Sequence, residues 1–113
     1  MIIYQIELPQ DQDAEAFVTF MREEYLPAIH LGPTRIGQVL GLTLYQEDTE
    51  SQTEARRFLL QVEWSGLGGN HARLRLDDET VEGRLATFGA HLERLGFYRE
   101  IISRREEEGE PTG

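Results

Sequence analysis

Between Arg56 and Trp64 the side chains alternate: Phe58, Leu60, Val62 and Trp64 fall on one side, and Arg57, Leu59, Gln61 and Glu63 on the other. A period of two belongs to a β-strand with two unlike faces, and this long stretch of it limits what the flanking chain can form. Ile2–Leu8 alternates in the same way, with Ile2, Tyr4, Ile6 and Leu8 on one face, and Pro9 ends that strand. Asp11 and Asp13 then offer N-cap oxygens and Glu15 lies in a first turn, where the helix dipole favours an anion. A helix is expected from about Ala14 through Leu26, with Ala14, Phe17, Val18, Met21, Tyr25 and Ala28 as its apolar stripe and Pro27 ending or kinking it. The glycines and proline of residues 30–37 turn the chain back. Val39–Tyr45 reads as a second strand, with Leu40, Leu42 and Leu44 on one face and Val39, Gly41, Thr43 and Tyr45 on the other. The polar stretch through residue 55 reads as a solvated hairpin loop.

After Trp64 comes a glycine-rich segment, Gly66-Leu67-Gly68-Gly69-Asn70-His71. Leu74 and Leu76 either add a short strand or cover the core. Asp77 or Asp78 caps a second helix, with Glu79 and Glu82 in its first turn. Val81, Leu85, Phe88, Leu92 and Leu95 follow at spacings of four and three, a single helical stripe, with Gly96 placed for a left-handed cap. Phe97–Ser103 is then the last strand. One domain is expected over residues 1–104, with 105–113 a disordered acidic tail. The order is β-α-β-β-α-β, the split pattern of ferredoxin-like α+β folds, with four antiparallel strands and two helices on one sheet face. The other face carries Ile3, Gln5, Glu7, Val39, Gly41, Thr43, Tyr45, Leu59, Gln61 and Glu63. That mixed face is either the wet side of a monomer or the lining of a partly polar cavity closed by a second copy. The apolar members favour the homodimer.

A chain of 113 residues fits one domain, and no apolar run approaches the length needed to span a bilayer. Met1-Ile2-Ile3-Tyr4 reads as strand rather than as a targeting segment, so a cytoplasmic location is expected. Without cysteine there is no disulfide, thiolate nucleophile or cysteine-based metal site. The net charge of −10 would repel a phosphate backbone, so no nucleic-acid partner is expected. All 11 basic residues are arginine. Either a GC-rich genome or adaptation to salt accounts for that.

The run Tyr25-Leu26-Pro27-Ala28, then a glycine turn and a strand, then a strand ending Val62-Glu63-Trp64-Ser65, resembles the dimeric α/β-barrel superfamily. Its members include antibiotic-biosynthesis-monooxygenase-type, haem-degrading and stress-response barrel proteins. The resemblance covers residues 1 to about 104 by element order. It implies a homodimer, a place for Trp64 at the border of a pocket, and His71 as the positional counterpart of an iron-binding histidine in the haem-degrading members. Fold resemblance fixes no reaction.

Among individual residues, the alternation puts Trp64 beneath the helices, a core position. Asn70 and His71, on the glycine-rich loop, are candidates for orienting a ligand or a proton transfer, or else part of a turn chosen for its backbone angles. The loop matches neither nucleotide fingerprint, and no lysine follows it, so ATP and NAD are not expected. His30 reads as an exposed cap and His91 as a cation near the end of the second helix. The three histidines lack metal-site spacing, and neither metal nor cofactor is expected. Glu7 and Glu63 are either an acid–base pair with one raised pKa, if close on neighbouring strands in a closed cavity, or solvated or paired with Arg57 or Arg99. The candidate ligand-binding residues are thus Tyr45, Gln61, Glu63, Trp64, Asn70 and His71. Three functions fit: a barrel binding a small apolar or aromatic ligand between its sheet faces, a cofactor-independent monooxygenase-like enzyme or isomerase in the same frame, and an acidic protein-interaction module.

Overall fold

Ile2, Tyr4, Ile6 and Leu8 are all buried, and their alternation with less buried neighbours forms β1 (Ile2–Leu8). These coordinates are a computed structural model that describes residues 1–48, 56–67, 69 and 72–104. The expected loop at 49–55, Asn70, His71 and the expected tail at 105–113 lie outside the described residues. The stretch opening with Arg56 forms β3 (Arg56–Ser65), paired antiparallel to β1 with Ile2 opposite Val62 and Ile6 opposite Phe58. With β2 (Gln38–Gln46) and β4 (Leu92–Phe97) the sheet order is β2-β3-β1-β4, and every neighbouring pair is antiparallel. The α+β class and the four-stranded antiparallel sheet are therefore as expected, in an order compatible with a ferredoxin-like arrangement.

One sheet face is covered by helices. Asp13 caps α1 (Ala14–Phe20), its Oδ1 accepting from the N–H of Glu15 (2.9 Å) and of Ala16 (3.3 Å). The rod continues through a π-helical turn, Met21–Tyr25, closed by the Leu26 N–H donating to the Met21 carbonyl, and then through α2 (Leu26–Ala28). It thus runs past the expected end at Leu26, with Pro27 inside its last turn. A proline ring collides with the carbonyl four residues back in a regular α-helix. The wider turn just before Pro27 gives that ring room. Phe17, Met21, Tyr25 and Ala28 of the expected stripe are buried, and so is Phe20. The Phe17 ring lies 5.0 Å from Phe58 and 5.4 Å from Phe88, centroid to centroid.

Tyr25 carries a consequence for pH. Burial, with smaller contributions from Glu82 and Tyr4, pushes its phenol up to about 12. In an unfolded chain tyrosine ionises near 10. Between those values the folded chain keeps the proton and the unfolded chain does not. Stability is therefore intact below the unfolded value and falls as pH rises toward 12. Urea unfolding measured from pH 9 to about 12 should show that decline, and Tyr25→Phe should flatten it. An equally steep decline in the variant contradicts this cause.

The second helix departs from expectation. The N-cap of α3 (Thr80–Thr87) is Glu79, without a side-chain cap bond; Asp78 just ahead of it accepts from Thr80 N–H (3.0 Å) and Oγ1 (2.6 Å), bonds that hold its carboxyl below the usual range. The helix then stops at Gly89, whose φ of +70° is left-handed, rather than at Gly96. The stripe expected of one helix is divided: Val81 and Leu85 are helical, Phe88 follows the last turn, and Leu92 and Leu95 belong to β4. The fourth strand is thus Leu92–Phe97, ahead of the expected Phe97–Ser103, and Gly96 lies in it opposite Ile3. His91 is in the α3–β4 connection, not on a helix. No helix among the described residues is long and apolar enough to cross a membrane.

β2 is also phased differently from its pattern. Val39 pairs with Trp64 but Gly41 pairs with Glu63, so Leu40 is an extra residue, a β-bulge. Val39 is consequently buried in the core, not on the open face, and Leu40 is 61% exposed, not core-facing. From Gly41 onward the expected phase holds: Leu42 pairs with Val62 and Leu44 with Leu60. A second bulge, at Leu95, interrupts β4 between the pairs Ile3–Gly96 and Tyr4–Arg94.

Candidate ligand-binding site

The strand registers place Tyr45, Gln61 and Glu63 on the open face of the sheet. Tyr45 is opposite Leu59, Gln61 lies between Ile3 and Thr43, and Glu63 is opposite Gly41. Among the described residues no helix covers this face, and Tyr45 and Leu59 are 50% and 41% exposed. At one end a hollow of about 290 Å³ is lined by Gln5, Tyr45, Gln46, Glu47, Arg57 and Leu59. Glu7 is opposite Arg57 and pairs with it (Oε1 to Nε, 3.4 Å). Glu63 lies six positions farther along β3, about 20 Å at the rise of a strand. The acid–base pair of Glu7 and Glu63 therefore does not form.

Trp64 is on the opposite face, continuing the row Phe58, Leu60, Val62, as its alternation predicts. It is only half-buried, because a cleft of about 430 Å³ opens beside it. The cleft wall is built by two turns that touch backbone to backbone. Thr34 and Gly37 close a tight turn, with Thr34 N–H and Oγ1 donating to the Gly37 carbonyl at 2.8 and 2.5 Å. Gly37 has φ of +144°, and a Cβ there would lie 2.2 Å from the Ser65 carbonyl oxygen and 2.8 Å from the Trp64 ring. Gly66 packs against Gly37 in turn, so this part of the glycine-rich loop serves close approach, not a phosphate cradle. The indole Nε1 of Trp64 is buried with no hydrogen-bond partner among the described residues.

The other wall comes from two segments joined by a short ladder. Ile29 bridges Leu76, His30 N–H donates to the Arg75 carbonyl (2.7 Å), and Asp77 N–H donates to the Ala28 carbonyl (2.7 Å). Leu74 and Leu76 turn inward to pack on the core, which leaves Arg73 and Arg75 exposed at the cleft. His30 is more than an exposed cap: its Nδ1 is 3.0 Å from Asp77 Oδ1, and its ring lies against Gly32. Arg35, from the Thr34–Gly37 turn, completes the cationic lining.

The expected site residues are thus not brought together. Tyr45, Gln61 and Glu63 share one face, Trp64 belongs to the other, and Asn70 and His71 lie outside the described residues. The reading of single residues missed Arg35, Arg73, Arg75 and the cleft position of His30. The alternation Arg73-Leu74-Arg75-Leu76 was the available signal, a half-buried extended segment with cations on its wet side. Among the described residues, no three His, Cys, Asp or Glu side chains converge as a metal site would require. Comparison of the chain with protein-family models, with curated proteins and with solved structures yields no match.

Proposed function

We propose that the chain is a homodimeric α/β-barrel protein that binds a small apolar or aromatic molecule, two copies closing their open sheet faces on each other. The observation that carries this reading is the composition of a face no helix covers. Tyr45 and Leu59 stand side by side and half exposed, Ile3 lies nearby, and Gln5 and Gln61 supply polar groups among them. With strands of seven, nine, ten and six residues, the face covers roughly 500 Å² before side-chain relief. That is the scale of a standard interface, about 800 Å² per partner. The hollow beside Tyr45 is shallow in one copy and becomes enclosed when a second covers it, as ligand sites generally are.

Leu59→Glu tests this directly. It places a charge in the middle of the face without touching the helical core. Light scattering on the unaltered chain should give the dimer mass, and the variant the single-chain mass with the same circular dichroism. Saturable fluorescence of Nile red, a neutral aromatic dye, should accompany only the dimer. A single-chain mass for the unaltered protein at millimolar concentration contradicts the proposal.

A further inference from the structure

The cleft beside Trp64 has a lining at odds with the rest of the molecule. The chain carries 21 acidic residues against 11 basic ones, yet three of the arginines, Arg35, Arg73 and Arg75, line this cleft with His30, and among the described residues no carboxylate lines it. Among the described residues none of the three arginines forms an ion pair, whereas Arg57 and Arg84 do. Arg73 and Arg75 also border a wider groove bearing Asp77, Asp78, Glu79 and Glu82, and still pair with none of them. The carboxylate closest in role, Asp77, is turned to His30. The same cleft has an apolar part, lined by Trp64, Val39 and Ile36.

Guanidinium groups with no ion pair among the described residues, sharing a cleft with an indole, match one kind of molecule. A guanidinium recognises a carboxylate through two parallel N–H···O bonds, and such charge-assisted bonds are the strong ones. An indole face takes a flat apolar body. A volume of about 430 Å³ holds one small organic molecule. We propose that this cleft binds a small aromatic carboxylate, with its carboxylate on Arg73 and Arg75 and its ring beside Trp64. Every lining residue comes from one copy, so the site stands independently of any pairing through the open sheet face.

Trp64 is the only tryptophan in the chain, so its emission reports on this cleft without labelling. Titration with 3-phenylpropionate, excited at 295 nm where the ligand is transparent, should change that emission saturably. The uncharged 3-phenylpropionamide should bind at least about tenfold more weakly, the worth of one charge-assisted bond. Arg73→Gln with Arg75→Gln, both at exposed positions, should weaken 3-phenylpropionate about tenfold or more while leaving the amide unaffected and the circular dichroism unchanged. Equal responses to acid and amide, no saturable response to the acid, undiminished affinity in the double variant, or inorganic phosphate binding as tightly as 3-phenylpropionate would each overturn the proposal. Leu59→Glu, if it separates the copies, should leave this titration unchanged.

Discussion

Phe17→Ala is expected to remove about 3–5 kcal/mol of folding stability, the usual cost of deleting a fully buried aromatic ring. Small domains hold about 5–15 kcal/mol in total, so the variant should be largely unfolded in mild denaturant. The size of the effect follows from what the ring joins. It lies between Phe58 of β3 and Phe88 beyond α3, at 5.0 and 5.4 Å, so its loss opens the contact between the helical rod, the sheet and the second helix together. The surroundings cannot close the gap cheaply. Phe58 is fixed in the sheet by its pairing with Ile6 and Gln46, and Phe20 already occupies the far side of Phe88, 5.4 Å from it. Leu67→Ala is the control: at 89% exposure it should change stability by no more than about 0.5 kcal/mol. Guanidinium unfolding at one fixed protein concentration decides the matter, since association would otherwise shift the midpoint. A loss below about 1 kcal/mol for Phe17→Ala would mean the core is not organised around this ring.

Gly37→Ala should cost about 2–4 kcal/mol, through overpacking and backbone strain acting together. The added Cβ would fall 2.2 Å from the Ser65 carbonyl oxygen, a backbone atom rather than the end of a flexible side chain. The left-handed φ of +144° adds a penalty that no rearrangement of neighbours removes. The variant should also move the Thr34–Gly37 turn off the indole, admit water to Trp64 Nε1, and shift the emission to longer wavelength. Gly83→Ala gives the opposite sign. Nothing lies within 4 Å of a Cβ there, and alanine in a helix interior gains about 0.5–1 kcal/mol over glycine. If both variants matched the unaltered chain, the crossing of the Gly37 and Gly66 turns would not be a tight contact in solution.

Much of this fold is legible where one pattern has one meaning. In β1 and β3 every second residue is apolar, and the burial follows without exception from Ile2 to Leu8 and from Phe58 to Val62. The pattern loses its meaning where two structures share it. Leu92 and Leu95 continue a helical spacing from Val81, and only the backbone at Gly89 reveals that the helix has ended. Gly89 and Gly96 are equally good terminators on paper; the choice is made by β1, whose free edge takes up Leu92–Phe97. Val39, Leu40 and Leu42 are all apolar, so a one-residue bulge leaves no trace in hydropathy. The same holds for the candidate site. The side of the sheet occupied by Trp64 was legible from period two. The alternation of Arg73–Leu76 marks its cations as exposed, but that they share a cleft with Arg35 was not legible, because the two segments are distant in sequence and are brought together where Ile29 bridges Leu76.

The two bulges bear on how copies of this chain can meet. β2 and β4 are the outermost strands of the sheet, and each carries one surplus leucine in its paired row, Leu40 near the start of β2 and Leu95 within β4. An uninterrupted outer strand is a template on which further chains add rim to rim, the first step toward fibres. Here both rims are broken and locally overtwisted, so stacking of that kind is blunted on either side of the molecule.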